Sequence, residues 1–211
     1  MEMLITWKKL FYKILISKDN KNIKDLASNS IVGTSSFRRE FQLKKIRGDL
    51  NYKLIRGNVD TRIKKLKEGF YDAIILSKAG IDSLKLNEHI TEEFTLEDVI
   101  PSVGQGIVAV QCRQNDTEMI EILKKINHEE THFRATAERE VLKILEGDCD
   151  TAIVAISLVN DKKISLTAEL FSIDGKERYF IKESKELHLA KELGRNVGES
   201  LKNQSKGNYK R

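Results

Sequence analysis

Between residues 30 and 84 the chain repeats one arrangement: a short β-branched run, a small-residue turn, then a charged amphipathic stretch. A chain patterned this way is restricted to an α/β architecture, because period-two runs and period-3.6 stretches that alternate must pack as strands and helices in adjacent layers. Ser30-Ile-Val-Gly-Thr-Ser-Ser leads into Phe37 to Ile46. Asn51-Tyr-Lys-Leu-Ile passes through Arg56-Gly-Asn into Val59 to Lys67, with Ile63 and Leu66 on the inner face. Ala73-Ile-Ile-Leu-Ser runs into a helix starting near Lys78. Such units predict a mainly parallel sheet with ligands at the carboxyl ends of its strands.

Pro101-Ser-Val-Gly-Gln-Gly, with the only proline of 211 residues, breaks the pattern and reads as a hinge. Beyond it the order changes. A strand at Ile107-Val-Ala-Val-Gln is followed by helices over Thr117 to Ile126 and His132 to Leu145. After the loop Glu146-Gly-Asp-Cys149-Asp come strands over Ala152 to Val159, Ile164 to Phe171 and Arg178 to Ile181, then a helix from Glu186 to about Asn203. Helix, strands, helix is the signature of a small α+β unit. Ser205 to Arg211 is expected to be frayed.

Composition narrows the function classes. The net charge is +5, with acidic residues interspersed throughout, which ranks nucleic-acid docking last among the readings. No apolar run reaches the roughly 18 residues a membrane span needs, and the start lacks the pattern of a signal peptide, so a cytoplasmic protein is expected. Cys112 and Cys149 are too few for a disulfide framework or a structural zinc site. Cys112 reads as core. Cys149, flanked by Asp148 and Asp150, reads as a loop cysteine whose thiol pKa those charges would raise. The four histidines form no metal-ligand pattern.

Gly33-Thr34-Ser35-Ser36-Phe37-Arg38-Arg39 is the most informative segment. A strand that ends in glycine and hydroxyls before a helix offers backbone N–H groups and a positive helix terminus to an anion. Two arginines in the first turn oppose the helix dipole, a cost that a bound polyanion offsets, and guanidiniums grip carboxylates bidentately. The plain alternative makes Ser36 an ordinary N-cap and leaves the arginines solvated. Arg56-Gly57-Asn58 and Arg62 repeat the arrangement at the next strand end. Together they predict four arginines aimed at one crevice that takes a small molecule with several carboxylates or phosphates, while Lys64, Lys65 and Lys67 form a solvated helix face.

These segments resemble the porphobilinogen deaminase (hydroxymethylbilane synthase) family. The resemblance is carried by Ile31-Val-Gly-Thr-Ser-Ser-Phe-Arg-Arg, Ile55-Arg-Gly-Asn-Val-Asp-Thr-Arg, Tyr71-Asp-Ala-Ile-Ile-Leu-Ser-Lys-Ala-Gly, Pro101-Ser-Val-Gly-Gln-Gly, Asn127-His-Glu-Glu-Thr and Leu145-Glu-Gly-Asp-Cys, in order. It implies a transferase of haem biosynthesis that condenses four porphobilinogen units into hydroxymethylbilane with release of ammonia. It implies two domains built like halves of a periplasmic binding protein with a cleft between them, and a small third α+β domain. Cys149 would carry the dipyrromethane cofactor covalently. Thr34, Ser36, Arg38, Arg39, Arg56 and Arg62 would hold carboxylates of the cofactor, Arg56 and Arg62 also those of the substrate. The family is usually monomeric.

Departures from the family pattern set further expectations. The family's catalytic aspartate loop has no match here; Asp25 is not that residue. The family's acidic Arg-Glu-Asp-Pro-Arg-Asp stretch is replaced by Lys8-Lys-Leu-Phe-Tyr-Lys, a glycine before the cysteine by Asp148, and an often basic helix position by Ser83. The expected division is residues 10–100 as the carboxylate-binding domain, 129–211 as the C-terminal domain with the cysteine, and 1–9 with 101–128 as hinges and a remnant of a first domain. Ile107-Val-Ala-Val would then be a strand stripped of its sheet, inviting self-association. A carboxylate-binding module without catalysis is the alternative reading.

Overall fold

The computed structural model describes residues 2–7, 12–148 and 151–210. The chain divides into two compact units, residues 10–101 and residues 1–9 with 102–211. In chain order, β1 (Glu2–Trp7) belongs to the second of these and β2 (Lys13–Ser17) to the first.

In the unit of residues 10–101, β2 is joined by β3 (Ile31–Gly33), α1 (Phe37–Ile46), β4 (Asn51–Lys53), α2 (Val59–Lys67), β5 (Ala73–Ser77), α3 (Lys78–Leu84) and β6 (Glu92–Glu93). The sheet order is β4-β3-β5-β2-β6. β3 runs parallel to β4 and β5, whereas β2 runs antiparallel to β5 and β6, so the sheet is mixed rather than mainly parallel. The central strands β2 and β5 are apolar on both faces, as strands covered on both sides must be. One face buries Leu15, Val32, Ala73 and Ile75 under Leu43 of α1; the other buries Ile14, Ile16, Ile74 and Leu76 under Ile63 and Leu66 of α2 and Ile81 of α3. Arg47 locks the end of α1 by donating to the carbonyls of Ile23, Lys24 and Leu26 and to both carboxylate oxygens of Asp49.

The antiparallel direction of β2 has a topological consequence. Lys13, its first residue, pairs with Ser77, the last residue of β5. The start of β2 therefore lies at the carboxyl ends of the parallel strands, the edge where ligands bind in such sheets.

The other unit continues with β7 (Ile107–Cys112), α4 (Thr117–Lys124), α5 (Glu129–Leu145), β8 (Ile153–Asn160), β9 (Lys163–Phe171), β10 (Arg178–Glu186) and α6 (Ala190–Ser205). β7 is not stripped bare: it pairs antiparallel with β1 along its whole length, from Glu2 opposite Cys112 to Trp7 opposite Ile107. Val108 of β7 and Met119, Ile122 and the following Ile126 remain exposed. The three-stranded antiparallel sheet β10-β9-β8 packs on α5 and α6 around Val141, Leu145, Leu166, Leu170, Val197 and Leu201, completing the expected α+β unit. Gly194 and Gly198 permit the close crossing of α5 and α6; a methyl group at Gly194 would meet the Ala137 carbonyl oxygen at 2.2 Å.

The tail departs from expectation. Tyr209 is buried at 4% exposure and donates to the Leu145 carbonyl at 3.2 Å, and Lys210 pairs with Glu146, so residues through 210 dock on the end of α5 instead of fraying.

Candidate functional site

The segment after β3 is held by backbone pairing and crowding. Thr34 is buried, its N–H donates to the Lys53 carbonyl at 3.0 Å, and its Oγ1 accepts from the Ser36 N–H at 3.3 Å. Gly33 fits where no larger residue does: a methyl group there would lie 2.9 Å from Tyr71 Cδ1 and 3.1 Å from Ile74 Cγ2. Ser36 occupies the N-cap position of α1 but makes no side-chain capping bond; its carbonyl accepts the N–H groups of Arg39 and Glu40. Its hydroxyl is therefore not consumed as an ordinary cap.

From this start α1 carries Arg38 and Arg39 over the α1-covered face of the sheet. Arg39 donates through Nη1 to the Ile75 carbonyl at 3.2 Å. Burial, then the like charges of Arg62 and Arg38, lower its pKa to about 10. Arg62 comes from α2, where Asn58 caps the helix through the Thr61 N–H at 2.9 Å, and its own Nε donates to the Gly57 carbonyl at 2.8 Å. Gly57 has φ +119°, a backbone conformation closed to side chains, and this turns the chain from β4 into α2. Arg38 and Arg62 thus both stand near enough to Arg39 for their charges to act on it. Arg56 is exposed and is not among the charged groups acting on Arg39; its carbonyl accepts from Lys65 Nζ at 3.0 Å. Lys65, expected to be merely solvated, fixes this turn.

One cation of the cluster escaped the sequence reading. Lys13 is 3% exposed, and burial followed by the charges of Arg39 and Arg38 lowers its pKa to about 7. The signal was a lysine just before an apolar run at the head of a strand, Lys-Ile-Leu-Ile-Ser. Among the described residues no carboxylate forms an ion pair with Arg39 or Arg62. Planar guanidiniums brought together in this way suit carboxylates.

Cys149 and Asp150 lie outside the described residues. Glu146 takes the left-handed conformation at the end of α5, and Asp148 Oδ1 accepts from the Thr151 N–H at 2.9 Å and the Thr151 hydroxyl at 2.8 Å. Cys112 is a half-buried free thiol. Among the described residues no group of three His, Cys, Asp or Glu side chains could hold a metal, and no helix is long and apolar enough to cross a membrane.

Sheet and site together define an α/β protein with arginines clustered at the carboxyl ends of its parallel strands. Residues 3–121 match the family model described as porphobilinogen deaminase, dipyromethane cofactor binding domain, and residues 132–203 match porphobilinogen deaminase, C-terminal domain. The chain belongs to the porphobilinogen deaminase family. It is 42% identical over 167 residues to the porphobilinogen deaminase of Geobacillus kaustophilus, covering 79% of this chain and 54% of that one. It is 42% identical over 192 residues to that of Geobacillus sp. strain WCH70, covering 90% and 61%. With that of Francisella philomiragia it shares 45% identity over 161 residues, covering 76% and 54%. The chain therefore spans about half to three-fifths of the length of these relatives. A solved ancestral arginine-binding protein bound to arginine is similar at a TM-score of 0.36, with 24% identity over 59% of this chain and 56% of that one.

Proposed function

We propose that this chain is the carboxylate-binding and cofactor-bearing part of a porphobilinogen deaminase in the cytoplasm. The reaction combines four porphobilinogen molecules and one water into hydroxymethylbilane and four ammonia. Each carbon–carbon bond forms as an aminomethyl C–N bond breaks, and the proton displaced from the attacked pyrrole leaves with the ammonia. The carrying observation is the convergence of Arg38, Arg39 and Arg62 at the strand ends, where burial and mutual repulsion pull Arg39 down to about 10.

The residues present fit a dipyrromethane. Its acetate and propionate groups are permanently ionised near neutral pH, and the cluster offers guanidiniums with no described carboxylate partner of their own on Arg39 or Arg62. When bound, the dipyrromethane supplies the pyrrole carbon that extends the chain. Arg38, Arg39 and Arg62 hold its carboxylates, and Arg56 those of incoming substrate at the exposed turn. Thr34 keeps the Gly33-to-Phe37 turn in shape, and Ser36 adds a hydroxyl. Cys149 would be the covalent anchor: its thiol would form a C–S bond to the aminomethyl carbon of a porphobilinogen unit as the C–N bond breaks, the thiol proton leaving with the ammonia. Residues 10–100 form the carboxylate-binding domain, 129–211 the anchor domain, and 101–128 with 1–9 a hinge and first-domain remnant. The small-molecule substrate is porphobilinogen.

Binding without turnover is the second reading, in keeping with the arginine charges that act on Lys13 and Arg39. Incubation with porphobilinogen separates the cases. A mass increment of one dipyrromethane on the intact chain, lost in Cys149→Ser, is expected. No increment in the parent chain overturns the anchor assignment. Tetrapyrrole and ammonia formation by the chain alone overturns the binding-only reading.

A further inference from the structure

The apolar side of α4 is wider than the contact it makes. At roughly 3.6 residues per turn, Met119, Ile122, Leu123 and the following Ile126 fall on one side of the helix, and Glu121, Lys124 and Lys125 on the other. The path reaches Ile126 through a tighter last turn, in which the N–H groups of Lys125 and Ile126 donate to the carbonyls of Ile122 and Leu123 at 3.2 and 3.1 Å. Leu123 is buried, whereas Met119, Ile122 and Ile126 are 40%, 48% and 51% exposed. Val110 and Cys112 of β7 line, with Met119 and Leu123, a groove of about 660 Å³ alongside this stripe.

The spacing of the exposed residues decides what can cover them. Steps of three and four, from Met119 to Ile122 to Ile126, make a coiled-coil seam with Met119 and Ile126 at a and Ile122 at d. Glu118 and Lys125, both exposed, then hold the g positions along its border. Two parallel copies would set each g beside an e position, which in α4 is the buried Leu123, so neither charge would gain a counterpart across the seam. Two antiparallel copies set g beside g: Glu118 of each meets Lys125 of the other, and the helix dipoles oppose. Glu121 and Lys124 pair with each other at 2.8 Å, away from the seam. The surface is therefore complementary to itself in one orientation, as a two-fold contact requires.

We propose that two copies of this chain pair through α4, antiparallel about a two-fold axis beside Ile122, with Ile126 of each copy seated against Met119 and the groove of the other. The stripe is small and buries at most about 1,200 Å² in total, so the dimer is weak, with a dissociation constant on the order of 10–100 μM.

Sedimentation equilibrium of the full chain, reduced to keep Cys112 and Cys149 as thiols, tests this from about 5 to 300 μM, a range that brackets the expected constant. Monomer should give way to dimer, and alkylation of Cys112 by iodoacetamide, followed by peptide mass, should be lost in step with the dimer fraction. Ile122→Glu places two carboxylates at the axis and should stay monomeric throughout. Glu118→Lys and Lys125→Glu, which alter only exposed side chains, should each weaken self-association about tenfold by turning two attractions into two repulsions. An equimolar mixture of these two variants should regain the parent's affinity, because each supplies the charge that the other has lost. A parent that stays monomeric overturns the proposal. A dimer that persists in Ile122→Glu does so too, by moving the contact to another face. Charge variants that fail to recover on mixing overturn the antiparallel pairing, and Cys112 alkylation independent of concentration removes Ile126 from the groove.

Discussion

The carboxylate of Glu138 on α5 accepts a hydrogen bond from the backbone N–H of Gly104 at 2.8 Å. Its other oxygen accepts from the Ser157 N–H at 2.9 Å and the Ser157 hydroxyl at 2.7 Å. One buried side chain thereby ties the segment after Pro101 to α5 and β8, and Arg134 reinforces the joint by donating to the Ser157 carbonyl at 2.8 Å.

Glu138→Ala should therefore destabilise the chain by about 2–4 kcal/mol, since it strands buried donors and leaves Arg134 without a nearby countercharge. The expected readout is a lower denaturation midpoint together with faster proteolytic nicking within residues 103–106. A midpoint within error of the parent would show that water replaces the carboxylate at no cost.

Tyr209 anchors the tail by packing and by one hydrogen bond, and the two contributions separate. Tyr209→Phe keeps the ring in the core formed with Val141, Leu145 and Val197 and loses only the bond to Leu145, about 1 kcal/mol. Tyr209→Ala empties the site and should cost about 3–5 kcal/mol. Equal, small losses in the two variants would mean that the tail is undocked in solution.

How much of this was legible in the sequence depends on the range of the interaction. The helix over Phe37–Ile46 and the strand over Ala73–Ser77 are written in local periodicity, and both occur where the pattern places them. The convergence of Arg39 with Arg62 followed from two strand ends bearing the same motif. Lys13 left only the hint of a lysine at the head of an apolar run, because its place beside α1 depends on β2 running antiparallel, which no local pattern encodes. Tyr209 was invisible for a similar reason: a polar heptapeptide reads as frayed until α5 supplies a carbonyl 64 residues away. The strand pairing β1 with β7 joins segments that are farther apart still.

Arg47 and Asp49 form a bidentate pair, 2.7 Å at both contacts, and the hydrogen bond from Arg47 holds the Asp49 carboxyl well below the ordinary value of 3.8. A carboxyl lowered in the folded state contributes stability above its unfolded value and loses it as pH falls toward the folded one. Asp49→Asn should therefore melt below the parent at pH 7, and the gap should close as the pH drops from about 4 toward 2. A gap independent of pH would assign the effect to the backbone turn rather than to the carboxylate.

Arg62 sets binding against stability. Its charge acts on Arg39 and, after burial, lowers that group, a repulsion that a bound anion would relieve. Arg62→Gln removes it at the cost of one exposed hydrogen bond to Gly57. The variant should melt about 1–3 °C above the parent at low salt, corresponding to roughly 0.5–1 kcal/mol for a chain of this size, and the gain should vanish in 1 M salt, where the screening length falls to about 3 Å. Propane-1,2,3-tricarboxylate should meanwhile bind about tenfold more weakly, since one guanidinium fork is gone. Stabilisation that survives high salt would point to packing instead of charge. A variant no more stable than the parent, with binding unimpaired, would mean that Arg62 points away from the seat and that Arg38 and Arg39 form it alone.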